Sequence, residues 1–390
     1  MRLNHLSLHH FRNIERVDIA LPERTVLFVG SNAQGKTSIL EAIYYLATFS
    51  SFQTSADKQL IQFTELENSP AVARIVAEME KKGKKIKMEV RVIQETNAAG
   101  IARTRKEILI DGVKKPPSAA IGTFISVLFI PQMFSIMELG PEVRRRYLNL
   151  TLAQVIPGYA KALSKYQQVL AQRNALLKEL MERGGDSSQL AFWDQQLVEW
   201  GSQIVAARAN ALRSIDPIAQ SVHSILSEHK EDLKLNYMAR ISHKTAGSHL
   251  PAAIQIAEVK DVLDLALKAS RLDELRRGIT LVGPHRDDLR LLCSGIDLGD
   301  FGSRGQVKTA LLSMKLAEYQ WMKNVTSESP VILLDEVMSE IDSSRRAALL
   351  RQLGEYDQAI LTTTDADAYT PDFISHSRVW RVQNGGLAKS

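Results

Sequence analysis

The sequence has very little cysteine: Cys293 is the only one in 390 residues. A single cysteine cannot form a disulfide within the chain or build a cysteine-rich metal cage, so a reducing compartment is expected. No apolar run approaches the ~20 residues that a membrane helix needs. The first residues are interrupted by Arg and His every few positions, unlike a signal peptide. We therefore expect a cytoplasmic protein with no membrane partner.

Neither sign of charge dominates the composition. Lys and Arg total 49 against 44 for Asp and Glu, which gives a net charge of +5 and a pI near 9.1. The mildly basic balance permits nucleic acid as a partner without requiring it. With 45% hydrophobic residues, the chain can bury a substantial core and form roughly two or three domains. We find no internal repeat and no low-complexity tract.

The first third of the chain predicts strands and one strand–loop–helix unit. "LNHLSLHHF" and "IERVDIAL" alternate apolar and polar residues and predict an antiparallel pair. "RTVLFVG" predicts a buried strand, and the Gly-bearing "SNAQGKTSILEAIYYLA" predicts a loop and a helix. Alternation returns after residue 71 and predicts a small β lobe over about residues 71–115.

The middle third predicts an inserted helical arm over residues 158–275. A heptad-like apolar seam runs through residues 159–181, with only Arg173 interrupting it, and it resumes at residues 193–204 after "GGDSS". Asp216-Pro217 should kink or end the second helix. Periodicity leaves open whether the arm projects or packs as an ordinary bundle.

The last third predicts a return to the sheet. The turn "FGSRGQ" (residues 301–306) precedes an amphipathic helix over about residues 307–322, followed by the strands "PVILLDE" and "AILTTTD" and an edge hairpin in "RVWRVQNGGLA". Residues 1–157 and 276–390 would then form one α/β domain around a mixed sheet flanked by helices.

Residues 30–37 fit G-x-x-x-x-G-K-[ST], between an apolar strand and a helix where this phosphate-binding loop belongs. Glycines let successive backbone N–H groups converge on phosphates, Lys36 neutralises phosphate charge, and the Thr37 hydroxyl ligates Mg²⁺. We therefore predict ATP and Mg²⁺ as ligands. The predicted nucleotide-binding residues of the loop are Gly30, Ser31, Asn32, Ala33, Gln34, Gly35, Lys36 and Thr37.

"VILLDE" supplies the complementary acids. Asp335 ends a buried strand and should hold Mg²⁺ through water, while Glu336 beside it should orient or deprotonate the attacking water. The small residues of "FGSRGQ" at a helix start favour an anion, and the only plausible anion is the γ-phosphate of ATP. Because the loop at residues 30–37 already surrounds that ATP, the turn should serve a second copy of the chain, in an ATP-dependent homodimer.

The order of these motifs resembles the ATPase head of the ABC class, in its SMC and Rad50-like branch. "FRNI", "FIPQMFSIMELGPEVRRRYLN", "GPHRDDL", "SRGQ" and "LLDEVMSEID" narrow the resemblance, over the whole chain, to the RecF family of recombinational repair ATPases. The resemblance implies an ABC-type P-loop head with a β lobe and an inserted arm or lid domain. It also implies double-stranded and gapped DNA, RecR, and downstream RecO and RecA as partners.

The resemblance assigns further residues. Ser303, Gly305 and Gln306 would close on the other subunit's ATP, and Gln132 would be a catalytic lid residue that senses Mg²⁺ or water. Asp342 would cross the dimer interface, and Arg12 and Asn13 would touch the nucleotide. In many ABC-type ATPases the strand after the acid pair ends in a His that contacts the γ-phosphate, whereas here it ends in Thr362-Thr363-Thr364-Asp365. Thr364 or Asp365 would be a weak substitute, and hydrolysis would be slow. The arm is also far shorter than the coiled coils of SMC or Rad50.

Clustered cations on the β lobe are the candidate DNA contacts, and they would bind phosphates without reading sequence. They are Lys81, Lys82, Lys84, Lys85, Arg103 and Arg105. Lysines at a hairpin turn often only keep an edge strand soluble. Taken together, the sequence predicts a weak, DNA-stimulated ATPase that acts as a DNA-binding switch. The alternatives are a small-molecule kinase, a scaffold that never cleaves its nucleotide, and an SMC or Rad50 head.

Overall fold

The computed structural model of the chain describes residues 1–22, 24–97, 101–241 and 254–389. Its strands, in chain order, are β1 (Arg2–Phe11), β2 (Ile14–Ala20), β3 (Thr25–Val29), β4 (Ala71–Lys81), β5 (Lys84–Thr96), β6 (Ala102–Ile110), β7 (Val113–Lys115), β8 (Ser126–Phe129), β9 (Leu233–Met238), β10 (Asp288–Cys293), β11 (Ile296–Asp297), β12 (Val331–Asp335), β13 (Ala359–Thr363), β14 (Ser377–Gln383) and β15 (Gly386–Lys389). Its α-helices are α1 (Lys36–Thr48), α2 (Pro117–Ala120), α3 (Pro141–Val155), α4 (Tyr159–Arg183), α5 (Leu190–Leu226), α6 (Ile256–Arg277), α7 (Leu298–Phe301), α8 (Arg304–Thr326), α9 (Ser343–Leu353) and α10 (Pro371–Ser375). Every one of these helices is too short or too polar to span a bilayer.

By its internal contacts the chain divides into two compact units. One comprises Met1–Met133 with Met322–Ser390, and the other Phe134–Trp321. These bounds differ from the sequence-based ones: residues 134–157 and 276–321, which we assigned to the head, pack in the same unit as the helical segment. The sequence analysis missed this because α3 and the strands around residue 290 look like a continuation of the sheet, whereas α3 packs on α4 and α5 and β10 pairs with β9 and β11.

The first unit contains the sheet that carries the phosphate-binding loop. Its strand order is β15-β14-β3-β13-β12-β8, parallel throughout except for the antiparallel edge hairpin β14–β15. The predicted buried strands and the edge hairpin are confirmed. Since parallel strands end at one edge of the sheet, the loop after β3 and the two acids at the end of β12 are brought to the same place.

A second, wholly antiparallel sheet in this unit has the order β2-β1-β4-β5-β6-β7. The predicted pair β1–β2 and the hairpin β4–β5 are confirmed, but the lobe sheet is larger than residues 71–115 because β1 pairs with β4. Its inward faces are apolar and join one core with α1, including Leu6, Ile43, Val90 and Ile360.

The second unit packs α3–α6 with the small sheet β11-β10-β9. The predicted helix stop at Gly184 is confirmed, since α4 ends at Arg183. The alternative that Asp216-Pro217 ends the next helix is wrong: α5 continues through Pro217 to Leu226. Asp216 links this part of α5 to β9, because its carboxylate accepts a hydrogen bond from the Leu235 N–H at 2.6 Å.

Arg173, the exception in the predicted apolar seam, is fully buried within this unit. Its guanidinium donates to Asp194 at 2.8 Å, to Glu274 at 2.6 Å and to the Thr280 hydroxyl at 2.7 Å. The seam therefore encloses a matched ion cluster that links α4, α5 and α6.

Candidate nucleotide site

The phosphate-binding loop connects β3 directly to α1, which begins at Lys36. Two backbone positions show why the loop needs small residues. Gly35 has φ = 109°, a conformation that side chains disfavour. A Cβ on Gly30 would lie 2.4 Å from the Val382 carbonyl oxygen of β14, so any larger residue would displace the loop.

Two hairpin turns hold the loop from outside. The Asn13 amide, between β1 and β2, donates to the Ala33 carbonyl at 3.1 Å and accepts from the Ser38 hydroxyl at 2.8 Å. The turn between β14 and β15 donates from the Asn384 N–H to Gln34 Oε1 at 2.6 Å. Asn13 was predicted to touch the nucleotide; the structure places it where it sets the shape of the loop.

Thr37 and Asp335, the two predicted Mg²⁺ ligands, lie in direct contact. Thr37 Oγ1 lies 2.9 Å and 3.0 Å from the two Asp335 carboxylate oxygens. Thr362, at the end of the neighbouring strand β13, donates from its hydroxyl to Asp335 Oδ1 at 2.7 Å. Burial raises the pKa of the Asp335 carboxyl, and the hydrogen bonds from Thr362 and Thr37 oppose that shift. The result is a compact group of oxygen atoms of the kind that Mg²⁺ prefers.

Lys36 and Glu336 are also brought together. Lys36 Nζ is buried and donates to the Gly30 carbonyl at 2.7 Å and the Ser31 carbonyl at 3.0 Å. It lies 3.2 Å from Glu336 Oε1, while Glu336 Oε2 accepts from the Thr364 N–H at 3.2 Å. The candidate base is therefore held between a lysine of the loop and the strand end predicted to replace the missing His.

Thr362 is a site residue to which the sequence analysis assigned no role. Its hydroxyl contacts Asp335 and also accepts from the Glu336 N–H at 3.2 Å, so it positions both acids. The run of three Thr residues at the end of β13 and just after it was the available signal, because adjacent parallel strands end beside each other.

A cavity of about 220 Å³ opens beside Glu336. Its lining includes both predicted substitutes for the His, Thr364 and Asp365, together with Ser339 and Arg346. Arg346 was not predicted; on sequence alone it is one arginine among several in α9.

The "FGSRGQ" turn differs from its prediction in one respect: α8 begins at Arg304, three residues before the expected start. Ser303 and Gln306 form a reciprocal cap, in which Gln306 N–H donates to Ser303 Oγ at 3.2 Å and Ser303 N–H donates to Gln306 Oε1 at 3.0 Å. Ser303 and Gly305 are exposed. The other end of the Gln306 amide donates to Glu231 at 2.9 Å, so Gln306 is engaged within its own unit.

Three remaining nucleotide-site candidates lie on separate elements. Arg12 pairs with the buried carboxylate of Glu41 at 2.7 Å, which fixes its guanidinium beside α1. Asp342 caps α9 by accepting from the Arg345 N–H at 3.0 Å. Gln132 is exposed in a 3₁₀ turn, Pro131–Ser135. Their roles toward a nucleotide stay predictions.

The candidate DNA-binding residues fall into two groups: those that already bind other groups of the chain and those that are exposed. Lys81 donates to the carbonyls of Gly122 and Thr123, and Arg105 pairs with Glu95 and Glu107. Burial lowers the pKa of Lys81. By contrast, the exposed Lys82, Lys84, Lys85 and Arg103 side chains make no ion pair with any residue that the structure describes.

Comparisons with known proteins agree with this architecture. The family model described as RecF/RecN/SMC N terminal domain matches residues 2–385, so the chain belongs to that class of proteins. A solved Smc head domain from Pyrococcus furiosus, bound to the C-terminal domain of ScpA, shares the fold, with a TM-score of 0.53 and 15% identity over 99% of this chain and 95% of that one.

Within that class the chain is a member of the RecF family. It is 38% identical over 394 residues to the DNA replication and repair protein RecF of Chloroflexus aurantiacus, covering 99% of both chains. It is 35% identical to RecF of Enterococcus faecalis, over 100% of this chain and 99% of that one. A solved structure of the recombination mediator protein RecF with ATP, in the RecFOR pathway, matches with a TM-score of 0.84 and 28% identity over 100% of this chain and 97% of that one. The predicted resemblance is confirmed.

Proposed function

We propose that this chain is an ATP-dependent DNA-binding protein of recombinational repair, in which ATP with Mg²⁺ joins two heads around DNA and slow hydrolysis releases it. The single observation that carries the proposal is the contact between Thr37 and Asp335 at 2.9 Å. It joins the phosphate-binding loop to the acidic strand end, 298 residues apart in sequence. The comparisons support it, since the solved relative is a RecF with ATP.

The residues present fit the two ligands. Gly30 and Gly35 leave a cradle that a Cβ would fill or strain, as a loop wrapping phosphates requires. Thr37 Oγ1 and Asp335 would hold Mg²⁺, and Lys36 would exchange its bonds to the loop carbonyls for the phosphates. When bound, ATP supplies the anhydride that is cleaved and Mg²⁺ neutralises its charge.

Glu336 is the proposed general base. It would leave Lys36 and accept a proton from water, while the Thr364 N–H, now 3.2 Å from Glu336 Oε2, keeps the carboxylate oriented. Thr364 and Asp365 would replace the absent His only weakly, because a hydroxyl or carboxylate stabilises developing negative charge poorly. Turnover should therefore be slow.

The start of α8 is proposed to complete the site of a second copy. The cap consumes the N–H groups of Ser303 and Gln306, whereas the helix offers no partner to the N–H groups of Arg304 and Gly305. Those two groups, with the exposed Ser303 hydroxyl, suit the terminal phosphate of ATP held by the other subunit.

Duplex or gapped DNA is proposed to bind through the exposed cations at the β4–β5 turn and Arg103. RecR as direct partner, RecO and RecA downstream, and a cytoplasmic location belong to the same proposal and are supported by the family alone.

The mass of the protein should depend on nucleotide. We expect a dimer with ATP and a monomer with ADP or none, by light scattering, and we expect Ser303→Arg to stay monomeric because the larger cation blocks the turn. The matched control is Ser164→Arg on the exposed face of α4, which should dimerise normally. A wild type that stays monomeric with saturating ATP, while binding DNA, would contradict the proposal.

Replacing the base separates the proposal from a scaffold. Glu336→Gln should lower ATP turnover about 10²-fold or more, since positioned bases contribute 10²–10⁴-fold, and should trap the dimer on ATP and DNA. A scaffold would be unchanged by this substitution. A small-molecule kinase would instead show turnover that is independent of DNA and of enzyme concentration.

A further inference from the structure

A cluster of three side chains with potential metal ligands lies in the Phe134–Trp321 unit, and none of the three is among the residues proposed to hold the nucleotide. His223 is in the last turn of α5, Glu231 is in the segment before β9, and Cys293 ends β10. One ligand atom from each lies within 4.8 Å of the other two. His223 and Cys293 are buried, whereas the Glu231 side chain is 26% exposed.

The fold sets this cluster in place. Pairing of β9 with β10 puts Leu233 opposite Cys293, so Glu231, two residues earlier, is at the same end of the sheet. His223 Nδ1 lies 3.2 Å from the Ser313 hydroxyl of α8, which turns Nε2 toward Glu231. The distance from His223 Nε2 to Glu231 Oε2 is 3.5 Å.

The separation of 3.5 Å between His223 and Glu231 matches that between two ligands of a tetrahedral zinc ion. Zinc lies ~2.0–2.3 Å from nitrogen, oxygen and sulfur ligands, which places neighbouring ligand atoms roughly 3.3–3.8 Å apart. The donor set of thiolate, imidazole and carboxylate suits Zn²⁺ rather than Mg²⁺. The exposed side of Glu231 leaves a fourth position for water.

We propose that His223, Glu231 and Cys293 bind one Zn²⁺-class ion. The alternative is a metal-free cluster stabilised by hydrogen bonds and packing. The site does not depend on the nucleotide chemistry proposed above.

The ion would also steady the start of α8. Glu231 Oε1 accepts from Gln306 Nε2 at 2.9 Å, and Gln306 Oε1 caps Ser303 at 3.0 Å. Partners of this kind orient a ligand and are fixed by it in turn. Metal at Glu231 would therefore hold the cap that presents Ser303.

Cobalt reports on the site without any activity assay. Because Cys293 is the only cysteine, a thiolate-to-Co²⁺ charge-transfer band can arise only from this residue. We expect one Co²⁺ per full-length chain with that band, in protein stripped with chelator and free of nucleotide, and we expect Zn²⁺ to displace it. Co²⁺ held by Thr37 and Asp335 would give no such band.

Variants distinguish the ligands. Cys293→Ser should lose the band, and Glu231→Gln, at a partly exposed position, should weaken Co²⁺ binding while the protein stays folded. Glu228→Gln, on an exposed side chain three residues away, should bind as the wild type. Zn²⁺ should raise the unfolding temperature of the wild type and of Glu228→Gln only. Absence of the band at excess Co²⁺, or equal affinity of wild type and Glu231→Gln, would overturn the proposal.

Discussion

The nucleotide site and the buried arginine clusters both gather charges from distant parts of the sequence, but they differ in completeness. Arg173 has a carboxylate or hydroxyl for each of its nitrogens and no exposed surface. Lys36, by contrast, donates to two carbonyls of its own loop and forms an ion pair with Glu336, whose side chain is one quarter exposed.

The difference indicates what each group does. Arg208 repeats the complete pattern: it donates to Asp287, to the Pro284 carbonyl and to Asn149, and so anchors α5 to the "GPHRDDL" segment. Arg144 is bound likewise by Asp288 at 2.7 Å. Complete clusters hold a unit together, whereas the nucleotide site keeps bonds that a ligand can replace.

Breaking a complete cluster should have the largest effect on folding. Arg173→Met would leave the buried carboxylate of Glu274 without its cation, and loss of one partner of a buried pair costs about 3–5 kcal/mol. We expect the free energy of unfolding, measured with urea, to fall by that amount.

Two further variants test whether the unpaired buried charge causes this loss of stability. Arg183→Met, at the exposed end of α4, should change stability by less than about 0.5 kcal/mol. Adding Glu274→Gln to Arg173→Met should recover part of the loss, because the buried charge is gone. A loss no larger than that of Arg183→Met would mean that the cluster does not hold the unit.

The same comparison separates the features that the sequence could predict from those that it could not. Lys36, Thr37, Asp335 and Glu336 were predicted because their chemistry requires fixed spacing next to a strand. The early start of α8 was missed although Ser303 and Gln306 carry the spacing of a capping box. That signal was present in the sequence, and we interpreted it as a turn.

Other features had no local signal. The hydrogen bond between Gln34 and Asn384 joins residues 350 positions apart, and no periodicity predicts which hairpin will brace which loop. Arg173 was visible only as an interruption, because its partners Asp194 and Glu274 follow on later helices. Clusters of positive charge in the sequence were the least informative about DNA contacts. Lys81 and Arg105 bind other groups of the same unit, whereas the neighbouring cations are exposed.

The exposed lysines of the β4–β5 turn are a third case in this comparison, because their charges form no ion pair with any residue that the structure describes. Replacing Lys82, Lys84 and Lys85 together with Gln should weaken duplex binding and lower the slope of log affinity against log salt by up to ~2.7, at ~0.9 for each phosphate contact. Arg105→Gln is the control, because its guanidinium already pairs with Glu95 and Glu107. Equal slopes for the wild type and the triple variant would place DNA on another surface.

The smallest expected effect concerns Asp335 in the protein without ligands. It also tests most directly whether the nucleotide site lacks partners for its charges when no ligand is bound. Burial raises the pKa of the Asp335 carboxyl in the folded protein. The contribution of this group to stability is therefore largest below its pKa in the unfolded chain, about 3.9, and declines as pH rises through its pKa in the folded protein. Asp335→Asn removes that charge and keeps an oxygen for Thr37 and Thr362. We expect a higher unfolding temperature than the wild type at pH 7, by calorimetry, with the gain shrinking toward pH 4, together with loss of stabilisation by ATP and Mg²⁺. Asp372→Asn, at a side chain 89% exposed, should change neither quantity. If Asp335→Asn were instead less stable at pH 7, the resting site would be a complete charge cluster like that of Arg173, and the distinction between the two regions would fail.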